Sequence, residues 1–332
     1  MSDASVPAKP PAEFLADGAR WRWAEIAFWL AATLPYFVAQ DYLQLAGQVL
    51  ITGLFAMSLD LILGYAGVVS LGHAAFFGLG AYACGVASKW GWGEPITGLL
   101  IGGAFAGIVG YGASFIVSRF KGLALIMITL GLNQLVAEAA NSAHGLTGGA
   151  DGLQGVHTWD LLGYFHFDLY GVTAFWYILA VVFACFLLTR RMVHSPFGLA
   201  LRGIRENSTR MVAIGAANRA HIRKAFVIAA FMAGVAGALL TETTETVSLE
   251  TLSFQRSADV LVMLILGGVG QLYGGVVGAA IYMVARDRFS DVNPQYWYFW
   301  IGLLLIAVVV FLPNGIVGGL KKLGGYLGRA GR

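Results

Sequence analysis

Charge is what this sequence has least of. Only 12% of its 332 residues are Asp, Glu, Lys or Arg, about half of the roughly 25% in a soluble domain. So few charged side chains cannot clothe a water-facing surface of this size. Cysteine is nearly absent too. Cys84 and Cys185 both fall inside apolar runs with no redox or metal-ligand spacing, which excludes a disulfide scaffold and leaves two small buried hydrophobes. No G-x-x-x-x-G-K-[ST] loop occurs, so the chain does not cradle nucleotide phosphates in that manner. H-E-x-x-H, G-x-S-x-G and Cys/His clusters are missing as well. An enzyme reading has no motif to rest on. No cofactor, metal or nucleic acid is expected on this chain.

What the sequence has in quantity is apolar length. It is 58% hydrophobic and carries 45 glycines, a burden in isolated helices but useful where membrane helices approach closely. Crossing a bilayer takes roughly 20 apolar residues. Runs that answer this lie at 24–39, 44–63, 68–88, 96–117, 123–141, 170–189, 225–241 and 296–312. A longer apolar region, 258–285, is interrupted by Gly267, Gly268 and Gly270. The tail 1–23 is rich in Ala, Pro and charge and reads as a short disordered lead-in to an uncleaved first span.

Lys and Arg near span ends set orientation. Between Arg190 and Lys224 stand eight of them (Arg190, Arg191, Arg202, Arg205, Arg210, Arg219, Arg223, Lys224) against the single acid Glu206. The loop 143–169 has no Lys or Arg and carries Asp151, Asp160 and Asp168. The loop 190–224 is therefore expected in the cytoplasm and the loop 143–169 outside. Arg20, Arg22, Arg119 and Lys121 fall on the inner side by the same count. Reading 258–285 as two short passes returns the tail 313–332, with Lys321, Lys322, Arg329 and Arg332, to the cytoplasm. The expected fold is an all-α, polytopic membrane protein of about ten passes, some short or discontinuous, with both termini cytoplasmic.

Discontinuous helices must spend their free backbone groups on protein or on a wet cavity, never on lipid, and transporters place substrate sites at such breaks. Two stretches qualify. Leu61-Ile62-Leu63-Gly64-Tyr65-Ala66-Gly67 matches Leu264-Ile265-Leu266-Gly267-Gly268-Val269-Gly270 at five of seven positions, through an internal repeat or through the chance agreement that a Leu- and Gly-rich chain allows. The run Gly64 to Gly78 holds four glycines (Gly64, Gly67, Gly72 and Gly78) within fifteen residues and includes Ser70, His73 and Phe76. It reads either as pathway lining or as an inner turn with His73 bonded to backbone. Asp60 precedes it near a span end, where it is functional or simply reaches interfacial water. On the fifth span Thr129 and Asn133 share one face and Gln134 and Glu138 another, so a polar stripe faces a cavity or a neighbouring helix. Gly98, Gly102, Ala106, Gly110 and Ser114, and in the seventh span Ala230, Gly234 and Ala238, form small-residue packing stripes. The turn Leu146 to Leu153 (LTGGADGL) is tight external turn chemistry.

The inner loop opens on Ser195-Pro196-Phe197-Gly198 and continues as a short helix from Leu199 to Asn207, with Leu201, Ile204 and Arg205 on one face and Arg202 and Glu206 on the next. Such a helix suits a groove on a partner protein; its charge alone equally suits anionic lipid.

Together, Gly64 to Gly78, LTGGADGL, Ala200 to Asn207 (ALRGIREN), Lys224 to Leu240 (KAFVIAAFMAGVAGALL), LILGGVGQLYGGVVGAA and FLPNGIVGGL resemble the LivM-type permease subunit of bacterial branched-chain amino-acid ABC importers, in order over roughly residues 40–320. The resemblance implies a multi-pass protein of the bacterial inner membrane. Its implied partners are a second, LivH-like permease, two cytoplasmic ABC ATPases that carry the ATP and Mg, and a periplasmic solute-binding protein. It implies coupling to the ATPases at Gly198, Ala200, Arg202, Arg205 and Glu206, and a pathway along Gly64, Gly67, Ser70, Gly72, His73, Phe76, Thr129 and Asn133. Ser208-Thr209-Arg210-Met211 and Ala216-Ala217-Asn218 depart from the family pattern and put details of coupling in doubt. Relatives of this type also serve urea, short amides and other small metabolites; the GGADG turn favours the amino-acid branch. Two readings from other classes stand beside it: a secondary transporter using Asp60 or Glu138 for proton or sodium coupling, and a membrane-embedded structural partner of an enzyme.

Overall fold

The computed structural model of the chain describes residues 23–38, 40–160, 163, 171–312 and 314–319. The tail segments 1–22 and 320–332, and the end of the expected outer loop, lie outside the described residues. Helices dominate: α1 Trp23–Val38, α2 Leu43–Asp60, α3 Ala74–Lys89, α4 Pro95–Val117, α5 Leu123–Ser142, α6 Val172–Val193, α7 Pro196–Glu206, α8 Ser208–Ala213, α9 Asn218–Thr244, α10 Phe254–Gly267, α11 Gly274–Val292 and α12 Trp297–Phe311. Among the described residues, extended pairing is confined to one antiparallel bridge, Leu153 with Val247.

Among the described residues, six segments are long and apolar enough to cross a membrane: Leu43–Tyr65, Pro95–Val117, Leu123–Ser142, Val172–Val193, Asn218–Thr244 and Trp297–Gly319. The chain is a multi-pass membrane protein. The expected passes at α1, α3, α10 and α11 coincide with helices that are shorter or more charged. At 1.5 Å per residue α10 rises only about 21 Å, less than the roughly 30 Å of a hydrocarbon core. The expected third span began at residue 68, whereas α3 begins at Ala74; residues 66–73 have left the helix.

The centre of the fold is α9, packed against α3 and α4 through the small-residue stripes. A Cβ on Gly102 would lie 2.7 Å from the Gly80 carbonyl oxygen and 2.9 Å from the Ala238 Cβ. Gly234 presses on Ala106 and on the Gly102 carbonyl, Gly110 on Ala230, and Gly80 on the Gly234 backbone. These helices meet backbone to backbone, so dispersion acts across the whole length of the contact without any hydrophobic driving force. On the other flank α11 seats against α2: a Cβ on Gly53 would lie 3.0 Å from the Val276 Cα, and one on Gly275 2.8 Å from the Met57 nitrogen. Leu54, Phe55, Leu59, Phe76, Phe226, Ala233 and Leu264 fill the space between as one buried cluster.

Candidate functional site: a pair of helix breaks under α7

Helix α2 does not stop cleanly. After Asp60 it widens into a π-helical turn, Leu61–Tyr65, closed by a bond from the Val68 amide to the Ile62 carbonyl of 2.9 Å. Gly67 then takes a positive φ of 70°, a conformation open to glycine at little cost. α10 ends at Gly267, and Gly268 and Gly270 take φ of 119° and 80°. The two matching sequences therefore both end helices, and they meet. Asp60 Oδ1 accepts the Gly270 amide at 2.7 Å, and a Cβ on Gly64 would press on Asp60 and on that same Gly270 nitrogen.

The backbone from Gly64 to Ala74 finds partners on three other elements, α7, α5 and α10, as buried backbone must. Arg205 of α7 donates to the Gly64 carbonyl. Thr129 Oγ1 of α5 accepts the Leu71 amide at 3.3 Å, and the Thr129 carbonyl backs onto Gly72. Ser257 Oγ of α10 accepts the Ala74 amide at 2.9 Å. Asn133, one turn beyond Thr129, donates to the Leu252 carbonyl at 2.8 Å.

His73 is fully buried, neither exposed to a cavity nor bonded to backbone through its ring. Its Nε2 lies 2.8 Å from Ser58 Oγ, and Ser58 spends its own proton on the Phe55 carbonyl at 2.7 Å. Nε2 is therefore the protonated nitrogen, and Nδ1 is left without a partner. The ring stacks on Phe55 at 5.6 Å and meets the edge of Phe76, which in turn packs on Phe226. Ser70 is buried with its hydroxyl unpartnered. Gln134 and Glu138 are exposed on the opposite face of α5 from Thr129 and Asn133.

Residues Pro196–Glu206 form α7, with Pro at the first turn as helix starts prefer. Gly198 packs on the carbonyl groups of Val193 and Met192, and Leu201 and Ile204 are buried. The apolar ridge expected to face a partner is thus consumed inside the chain. Arg202 sits over the Tyr65 ring at 5.2 Å and Arg205 reaches Gly64, so both arginines turn toward the break. What α7 leaves exposed is Pro196, Leu199, Arg205 and Glu206, with Ala200 half-buried; Arg205 reaches the break from this edge of the helix. The loop beyond is tied down by Lys121 Nζ and Asn218 Nδ2, which donate to the Ser208 hydroxyl and carbonyl, both at 2.7 Å.

Between α7 and the break lies a cavity of about 490 Å³, lined by Gly67, Val68, Val69, Lys121, Leu125, Ile126, Ile204 and Arg205. Its walls are largely apolar, and its rim carries Lys121, Arg205 and Glu206. Among the described residues no group of three or more His, Cys, Asp or Glu could hold a metal ion. The cavity is large enough to admit a small solute.

Sequence reasoning did not single out Ser58, Ser257, Gly270 as the partner of Asp60, or Glu242. Glu242 is buried near the C-terminal end of α9, taking a bond from Tyr177 Oη at 2.9 Å. An acid closing a long apolar helix is the one signal that marks it.

Comparison with known proteins bears on this geometry. Residues 42–309 match the family described as branched-chain amino acid transport system / permease component. The high-affinity branched-chain amino acid transport system permease protein LivM of Escherichia coli K12 is 27% identical over 310 residues, 87% of this chain and 72% of that protein. A probable LivM of Methanocaldococcus jannaschii is 24% identical over 79% of this chain and 89% of its own length. LivH of Salmonella typhimurium is 30% identical over 136 residues, 41% of this chain and 44% of LivH. No solved structure matches. The chain belongs to the family of permease components of branched-chain amino acid transport systems.

Proposed function

We propose that this chain is the LivM-type subunit that passes branched-chain amino acids through the bacterial inner membrane by alternating access. It works beside a second, LivH-like permease, two cytoplasmic ABC ATPases and a periplasmic solute-binding protein. In this reading the helices make ten passes, α10 and α11 forming a short hairpin, with both termini and α7 in the cytoplasm. The family match and the relatives support the class.

One observation carries the mechanism: α7 and the break after α2 wall the same cavity and are joined by Arg205 and Gly64. A push on the outward side of α7, at Leu199 and Glu206, reaches the unwound segment without an intervening element. That segment is tied through Asp60 to the second break at Gly270, so both breaks move together. The Thr129–Asn133 face of α5 then acts as the wall against which residues 70–72 slide.

The test is uptake of labelled L-leucine into vesicles holding the complete set of subunits. Uptake that requires ATP and survives an ionophore fits the reading. Uptake that persists without ATP and collapses with the ionophore points to ion coupling and sinks it. A urea- or amide-specific relative takes up those solutes in the same assay and not leucine.

A further inference from the structure

At the far end of α10 from the break, the chain builds a second, smaller recess. It measures about 190 Å³ and is lined by Leu240 and Thr244 of α9, Thr246, Ser248 and Glu250 of the connection, and Arg256 in the first turn of α10. Drug-sized pockets run roughly 300–1,000 Å³, so this one suits a solute with few heavy atoms.

Arg256 is the feature that needs explaining. Its guanidinium carbon lies 5.3 Å from the centre of the Phe77 ring, which holds the flat cation in place while leaving its N–H edges directed sideways. Nε is buried without a hydrogen-bond partner. Among the described residues Arg256 forms no ion pair within 4 Å; the pair found there joins Arg190 to Glu25. Asp259, on the same helix, is engaged by Gln255 at 3.0 Å and Tyr282 at 2.9 Å. Glu250 and Asp259 act on this guanidinium only from beyond ion-pair distance, so a largely buried cation with an unpartnered Nε is costly unless a closer anion arrives, and its planar fork fits a carboxylate with two parallel bonds.

The rest of the recess has the complementary sign. Glu250 is exposed at the rim, on the short turn Leu249–Leu252. Thr244 donates its hydroxyl proton to backbone carbonyls within 3.1 Å, keeping its oxygen available as an acceptor. Leu240 closes the floor with an apolar surface. One cation, one anion and one apolar wall within a space this small match the three parts of a neutral aliphatic amino acid.

The geometry points to a docking site for a zwitterionic α-amino acid at this recess, its carboxylate on Arg256, its ammonium on Glu250 and its aliphatic side chain against Leu240. The assignment rests on the amino-acid transport reading above and adds the place where the solute is first held by this subunit.

The test is saturation-transfer NMR on the complete importer complex in nanodiscs without solute-binding protein, using L-leucine, leucinamide and 4-methylpentanoate. The wild type should show transfer to L-leucine, less to 4-methylpentanoate and none to leucinamide, which lacks the carboxylate. Arg256→Gln and Glu250→Gln should each weaken L-leucine binding at least tenfold, with Arg256→Lys intermediate. Should Arg256→Gln fail to accumulate in membranes, Glu250→Gln at the rim carries the same expectation. Vesicles in which wild type and these variants take up leucine alike, with unchanged transfer, overturn the site and leave the transport reading standing. A wild-type complex that takes up another solute and not leucine overturns that reading and the site's ligand with it.

Discussion

Arg205 of α7 donates to the main-chain carbonyl of Gly64, in the widened last turn of the second helix. A charged side chain thus replaces the helical bond that this carbonyl loses when the chain unwinds. Charge-assisted bonds of this kind contribute about 1.5–3 kcal/mol, enough to set which way the break is held.

Arg205→Gln is therefore expected to cut ATP-driven leucine uptake at least tenfold while the ATPases still co-purify with the permease. Leu199→Asp with Glu206→Arg, on the outward side of the same helix, is expected to lose co-purification. Pull-down of the ATPases, paired with uptake, separates the two. Loss of co-purification in Arg205→Gln alone would return that arginine to the partner surface.

Asp60 accepts one backbone amide, that of Gly270, and its second oxygen is buried without a partner. A group that only needs to accept this bond tolerates amide replacement; a group that carries a proton or sodium ion does not. Asp60→Asn should keep more than half of wild-type uptake, and Asp60→Ala should fall to a tenth or less, because the Gly270 amide is then left unpaired. Equal loss in both variants would favour ion coupling through Asp60.

Much of this was legible in the residues. Hydrophobic run lengths located the helices, because a bilayer demands a fixed apolar length, and the small-residue stripes of α4 and α9 do face each other. The paired Leu-Ile-Leu-Gly sequences named both breaks. What one-dimensional pattern could not supply was direction. Leu201 and Ile204 show the same amphipathic spacing whether the helix leans on its own chain or on a partner, and the structure buries them inward. His73 likewise resembles a pathway residue until Ser58 and the rings of Phe55 and Phe76 enclose it. Glu250, in the connection after α9, and Arg256, in the first turn of α10, are six residues apart, and only the fold brings them to one recess with Leu240.

His73 can be tested as a packing residue. Its hydrogen bond to Ser58 and its stacking on Phe55 fix the start of α3. Ser58→Ala removes the acceptor and leaves the buried Nε2–H unpaired, a cost of about 1–3 kcal/mol. The expected outcome is a lower unfolding temperature in detergent with an unchanged KM for leucine. A changed KM with unchanged stability would place His73 on the solute path.

The close contact of α9 with α4 gives the sharpest structural expectation. A side-chain carbon at Gly234 would collide with Ala106 Cβ and sit 2.7 Å from the Gly102 carbonyl, and neither backbone can retreat without parting the helices. Overpacking of this kind costs typically about 1–3 kcal/mol for a well-packed core, and a rigid backbone contact lies at the upper end. Gly234→Leu should therefore abolish accumulation in the membrane, and Gly234→Ala should lower the detergent unfolding temperature by several degrees. Gly131, on the exposed side of α5, has nothing within 4 Å of an added Cβ, and exchanging glycine for alanine in a helix interior gains roughly 0.5–1 kcal/mol in backbone entropy. Gly131→Ala should thus be neutral or slightly stabilising in the isolated subunit. If it instead destabilises the assembled permease pair while sparing the subunit alone, the α5 face bearing Gln134 and Glu138 is where the second permease packs.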